Sequence, residues 1–155
     1  MNRLYGDFIA GRGAWGLLVL RIIVGAGLMF HGWSKIQNPF SWMGPESPVP
    51  NVLQGLASLA EFGGGLAMIL GLLTPVAAFG IICTMLTAIF MVHIPKGDVF
   101  VGRGGSYELP SLYFAGVWAI MMLGPGKLSL DALLFKKKLE PRRAVELEHP
   151  EASIR

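Results

Sequence analysis

The sequence predicts an all-α membrane protein, a bundle of four transmembrane helices followed by a short amphipathic helix on the bilayer surface. Three observations predict it. Of the 155 residues, 53% are hydrophobic and only 15% charged, whereas soluble domains carry about 25% charged residues. The mean hydropathy is +0.55. The apolar residues gather in long runs over 14–33, 52–73, 75–94 and 107–123. About 20 helical residues, rising about 1.5 Å each, cross the ~30 Å hydrocarbon layer, a length that a soluble core does not require.

Residues 1–13 read as an interfacial lead-in, with Tyr5 and Phe8 suited to the headgroup level. The first span, 14–33, carries Arg21 inside it, has no small-residue cleavage site and precedes three further spans, so it is not expected to be a removable signal peptide. The loop NPFSWMGPESPVPN is rich in proline and cannot prolong a helix; Phe40 and Trp42 are expected to dip into the interface. Gly71 marks the end of the second span, and Thr74-Pro75 supplies an N-cap and first-turn pair for the third. Those two spans should pack as an antiparallel hairpin, helped by Ala60, Gly63, Gly64, Gly65 and Ala67, which let a neighbouring backbone come close.

The loop PKGDVFVGRGGSYELP delivers Glu108 to the mouth of the fourth span, which stops at Gly124-Pro125-Gly126. The stretch KLSLDALLFKKKLE predicts the amphipathic helix over 129–139, with Ser129 as N-cap and Lys136, Lys137 and Lys138 on anionic headgroups. Residues 140–155 are charged, lack aromatics and are expected to be a mobile tail. The membrane domain is thus 14–128.

Four spans put both termini on one side, together with Arg3, Arg12, Lys127, Arg142, Arg143, Arg155 and the lysine cluster; the opposite loops hold only Lys35, Lys96 and Arg103. The positive-inside rule places both termini in the cytoplasm, in a multi-pass plasma-membrane protein. The formal net charge of +3 reflects this asymmetry, and no basic-aromatic groove accompanies it, so nucleic acid is not an expected partner. The single cysteine, Cys83, excludes an internal disulfide or dithiol motif and is expected to be a small buried side chain.

Ionisable residues in a span usually face the bundle interior or a water-filled cavity. At 100° per residue, Arg21, His31 and Lys35 share a sector of about 80° on the first span. Glu61 lies near the middle of the second, with Gln54, Ser58 and Gly65 on the same side. If the two spans are aligned by their ends, Arg21 and Glu61 lie within about 5 Å in depth, which predicts a structural ion pair. His31 ends the first span, His93 the third, and Glu108 opens the fourth. Together they predict a polar pocket at the exterior end that binds a ligand or handles protons. Singly, each has a plainer role: Glu108 as a favourable charge at a helix N-terminus, Lys35 reaching for headgroups, the histidines wetted at the interface. Two histidines and two carboxylates would suit a metal, but no tight ligand spacing supports one, and none is expected.

The chain resembles the DoxX family of small four-helix membrane proteins. The likeness is carried by the arginine-bearing first span ending FHGWSK, by LAEFGGGLAMILGLLTP, by the span holding His93, and by GGSYELPSLYFAGVWAIMMLGPGKLSLDALL. The resemblance implies a prokaryotic inner-membrane protein. It also implies kinship with the small membrane subunits of thiosulfate:quinone oxidoreductase and with proteins serving oxidative-stress and thiol-handling partners. Its matching positions are Arg21, His31, Lys35, Glu61, His93 and Glu108. The expectation drawn from residues and resemblance together is a subunit of a quinone-linked membrane oxidoreductase. Glu61 and Glu108 would exchange protons, and His31, His93, Arg21 and Lys35 would bind a quinone. Two alternatives stand beside it: a non-enzymatic scaffold recruiting soluble redox partners, and a small-molecule transporter or proton conduit. The glycine-rich faces are compatible with a homo-oligomer.

Overall fold

The computed structural model describes residues 8–102 and 104–135. Arg103, the lysine cluster at 136–138 and the tail lie outside the described residues. Within them the chain is helical, with one isolated bridge between Val99 and Ser106 and no strand. Helix α1 spans Arg12–Gln37, α2 Asn51–Leu70, and α3 Thr74–Thr87, prolonged by a π-helical turn over Ala88–His93; α4 spans Glu108–Leu123. A last helix, α5, begins at 130 and is described to 135.

Three of these are long and apolar enough to cross a membrane: Arg12–Gln37, Asn51–Leu70 and Thr74–His93. Helix α4 is equally apolar but has 16 residues, about 24 Å of rise. Large apolar side chains point outward all round, among them Phe30, Trp33, Val76, Phe79 and Leu112. Lipid contact explains such a surface; water would penalise it. The inward layer is Val24 and Leu28 from α1, Met68 from α2, Ala78, Ile81 and Met85 from α3, and Val117 and Ile120 from α4.

Helix α1 packs most extensively on α2, α2 on α3, and α3 on α4. Glycine sets the α1–α2 register. A Cβ on Gly25 would meet the Gly65 carbonyl oxygen at 2.5 Å, and one on Gly32 would meet the Phe62 nitrogen at 2.7 Å. These backbones therefore touch, as small residues permit in lipid.

The α2–α3 turn is tight, as the sequence predicts. Gly71 takes the left-handed conformation at φ 62°, and the Leu72 N–H reaches back to the Ala67 carbonyl at 2.9 Å. The cap differs from expectation. Leu73, not Thr74, is the N-cap residue, and Thr74 is already helical with its hydroxyl unpaired among the described residues. The cap comes from α5 instead: the fully buried Asp131 carboxylate accepts the Leu73 and Thr74 N–H groups, each at 2.8 Å. Ser129 does cap α5, its hydroxyl accepting the Ala132 N–H at 3.1 Å.

Candidate functional site

Helices α2 and α3 are joined by a short turn and pack on each other, and the small residues along their shared outer face leave a groove there. Ala57, Ala60 and Gly64 on one side and Ala77, Gly80 and Thr84 on the other wall a groove of about 740 Å³. That volume lies within the roughly 300–1,000 Å³ typical of small-molecule sites. Cys83 lines it and is exposed, which corrects the expectation of a buried thiol: its position on α3 turns it toward the groove instead of the core.

Lys35, Trp42 and Glu61 also line the groove and form its charged end, while the Thr84 and Thr87 hydroxyls farther along donate to the Gly80 and Cys83 carbonyls of their own helix. Lys35 ends α1 and Glu61 sits mid-α2, and the glycine-set register brings them together. Lys35 Nζ donates to Glu61 Oε1 at 2.6 Å and lies 4.4 Å from the centre of the Trp42 ring. The α1–α2 loop supplies that ring, with Trp42 half-buried. Trp42 donates its indole N–H to the Gln54 carbonyl at 3.1 Å, and the Gln54 side chain accepts the Met43 N–H at 3.1 Å and donates to the Val49 carbonyl at 2.9 Å. Gln54, Ser58, Glu61 and Gly65 are all buried on one face of α2, as their spacing predicts.

The Glu61 side chain is 5% exposed. Its second oxygen, Oε2, has no hydrogen-bond partner among the described residues. A buried carboxylate held by an ammonium on one oxygen and left open on the other can accept a hydrogen bond and can exchange a proton with whatever donates it.

Arg21 is elsewhere. The predicted ion pair with Glu61 does not form, because Gly25 and Gly65 set the register in place of the helix ends. Arg21 then stands level with Met68 and Ile69, about 12 Å along α2 from Glu61. Its guanidinium donates to the carbonyls of Met68 at 3.0 Å and Leu128 at 2.7 Å, and to that of Pro125. Asp131 adds a countercharge. Arg21 is a bolt between α1, the end of α2 and the segment after α4.

The remaining predicted residues share one end of the bundle by topology, yet the two histidines have separate partners. His31 is exposed and meets Tyr113 edge-on, ring centres 6.0 Å apart. His93 closes the π turn, its Nδ1 2.7 Å from Asp98 Oδ2. Glu108 opens α4, where the helix dipole favours it. None of His31, His93, Glu108 or Arg21 lines the groove. Among the described residues, no three His, Cys, Asp or Glu side chains form a group able to hold a metal. Asp98 and Asp131 carry such contacts and went unassigned from the sequence, which has no local signal for tertiary partners; the contact of Trp42 with Lys35 was not expected either.

Among the described residues, an all-helical chain with three helices long and apolar enough to cross a membrane has the build of a small helical membrane protein. Residues 16–94 match the DoxX family. Inner membrane protein YqjF of Escherichia coli K12 is 35% identical over 130 residues, covering 79% of this chain and 94% of the relative. An uncharacterised protein of Haemophilus influenzae is 33% identical over 123 residues, covering 78% and 92% respectively. The chain belongs to the DoxX family. No solved structure matches it.

Proposed function

We propose that this protein is a subunit of a quinone-linked membrane oxidoreductase, and that the α2–α3 groove receives a quinone or a similar amphipathic ligand. The observation that supports this reading best is Glu61 Oε2, an unsatisfied acceptor in a buried side chain that lines an apolar groove. Such an arrangement suits a polar head on an apolar tail. Glu61 takes up or gives up a proton at the ligand oxygen, Lys35 holds the carboxylate in place, and Trp42 closes over both. When bound, a quinone supplies a two-electron, two-proton couple. His31, His93 and Glu108 have no role inside the groove in this reading.

Both termini are cytoplasmic here, following the basic residues, so the Lys35–Glu61 end faces outward. Fusion reporters at the C-terminus, active only in the cytoplasm, test that orientation. The ligand reading is tested by spectral titration of the reconstituted protein with ubiquinone and menaquinone analogues. Saturable binding, weakened about 10-fold for the reduced, quinol form in Glu61→Gln, supports it, in line with a lost hydrogen bond to a charged group. Absence of saturable binding overturns it.

A further inference from the structure

We infer that the polar end of the groove selects hydrogen-bond donors, so that an amphiphile headed by a phenol or hydroquinone binds more tightly than its quinone or ether counterpart. The inference rests on the reading of the groove as a ligand site and adds what the site discriminates.

In a bilayer the ligand's tail contributes little discrimination. Lipid chains are as apolar as the groove wall, so a tail entering it gains packing and no hydrophobic transfer energy. The wall formed by Ala60, Gly64, Ala77 and Gly80 carries no polar side chain to recognise a head. The Thr84 and Thr87 hydroxyls spend their protons on the Gly80 and Cys83 carbonyls, so charged recognition falls to Lys35 and Glu61, beside Trp42.

Of the two donor groups there, the indole is committed and Lys35 keeps two of its three protons. Lys35 Nζ donates to Glu61 Oε1, and the Trp42 indole N–H donates to the Gln54 carbonyl. Lys35 is 21% exposed, so its remaining protons have an outlet to headgroups or water. Glu61 Oε2 has none: it is an acceptor, buried, and without a partner among the described residues. A ligand hydroxyl relieves that cost, whereas a carbonyl or ether oxygen brought to the same place sets lone pair against lone pair. The terminal torsion of a glutamate is broad and two-fold. A full flip only exchanges the two equivalent oxygens, so a ligand hydroxyl reaches the unsatisfied one by a partial turn of the carboxylate.

The test uses the full chain in phospholipid nanodiscs and two matched ligand pairs. One pair is redox-inert, a long-chain alkylphenol and its methyl ether; the other is a decyl hydroquinone and its quinone, kept anaerobic. The phenol is expected to bind about 10- to 100-fold more tightly than the ether, the range of a hydrogen bond to a charged group. The hydroquinone is expected to exceed the quinone likewise. In Glu61→Gln, whose amide both donates and accepts, each preference should fall below about threefold. Binding within about threefold across both pairs in the parent overturns the inference without needing any variant, as does a preference that survives Glu61→Gln. Equal binding of quinone and hydroquinone leaves the quinone reading standing and removes the donor rule. Binding of the phenol but of neither quinone form does the reverse. No binding of any of the four removes both.

Discussion

Replacing Arg21 by methionine asks what holds the closed end of the bundle. Methionine keeps the length and helix propensity of the side chain and removes every donor. In the parent, the guanidinium serves the carbonyls of Met68, Pro125 and Leu128. Met68 keeps a second partner, the Gly71 N–H at 3.1 Å. The Pro125 and Leu128 carbonyls are the ones stranded, at about 1–3 kcal/mol each, or about 2–6 kcal/mol together. For a chain of this size that corresponds to a fall in melting temperature of about 5–20 °C. Thermal unfolding in detergent micelles reads it directly. Asp131 also loses its countercharge, so Arg21→Met and Asp131→Asn should be non-additive by at least about 0.5 kcal/mol. A methionine variant melting within about 2 °C of the parent would refute the carbonyl cage, since one stranded carbonyl alone should cost more than that. Strict additivity would refute the electrostatic coupling.

Other consequences follow from the same contacts. Lys35→Met should destabilise the protein by about 1–3 kcal/mol by stranding Glu61, and adding Glu61→Gln should recover part of the loss; a double variant no better than the single one contradicts the pairing. Gly65→Leu should melt well below the parent, because its Cβ meets the Gly25 carbonyl oxygen at 2.7 Å. Gly63→Ala, whose Cβ meets only Leu59 at 3.3 Å, should change stability by no more than about 1 kcal/mol; equal melting of the two would show that the register does not depend on backbone contact. Cys83 should react with N-ethylmaleimide in micelles and be protected several-fold by a ligand that saturates the groove. Unchanged labelling at saturation would place the ligand elsewhere.

The helices were legible in the sequence because lipid demands long uninterrupted apolar runs, and the run ends fell near the observed ones. The buried face of α2 was legible too, since Gln54, Ser58, Glu61 and Gly65 recur at helical spacing. What failed was pairing across helices. The depth of Arg21 relative to Glu61 depends on the sliding register of α1 on α2, and that is fixed by two glycine backbones in contact, not by where the apolar runs begin. The partners of Arg21 are mostly backbone carbonyls, which any sequence supplies and none advertises. Asp131 was invisible for the same reason. A carboxylate that caps a helix 57 residues away leaves no local pattern, whereas Ser129, capping its own helix, does.

The Arg21 bolt bears on how the chain is made. Its carbonyl partners at Pro125 and Leu128 lie 104 and 107 residues downstream, so the ribosome releases them long after α1 has left it. Until then the guanidinium sits in a half-built bundle with only the Met68 and Ile69 carbonyls of α2 to hold. A nascent chain cut short before residue 125 therefore carries an unquenched positive charge at membrane depth, a defect that membrane proteases and insertion chaperones are equipped to find.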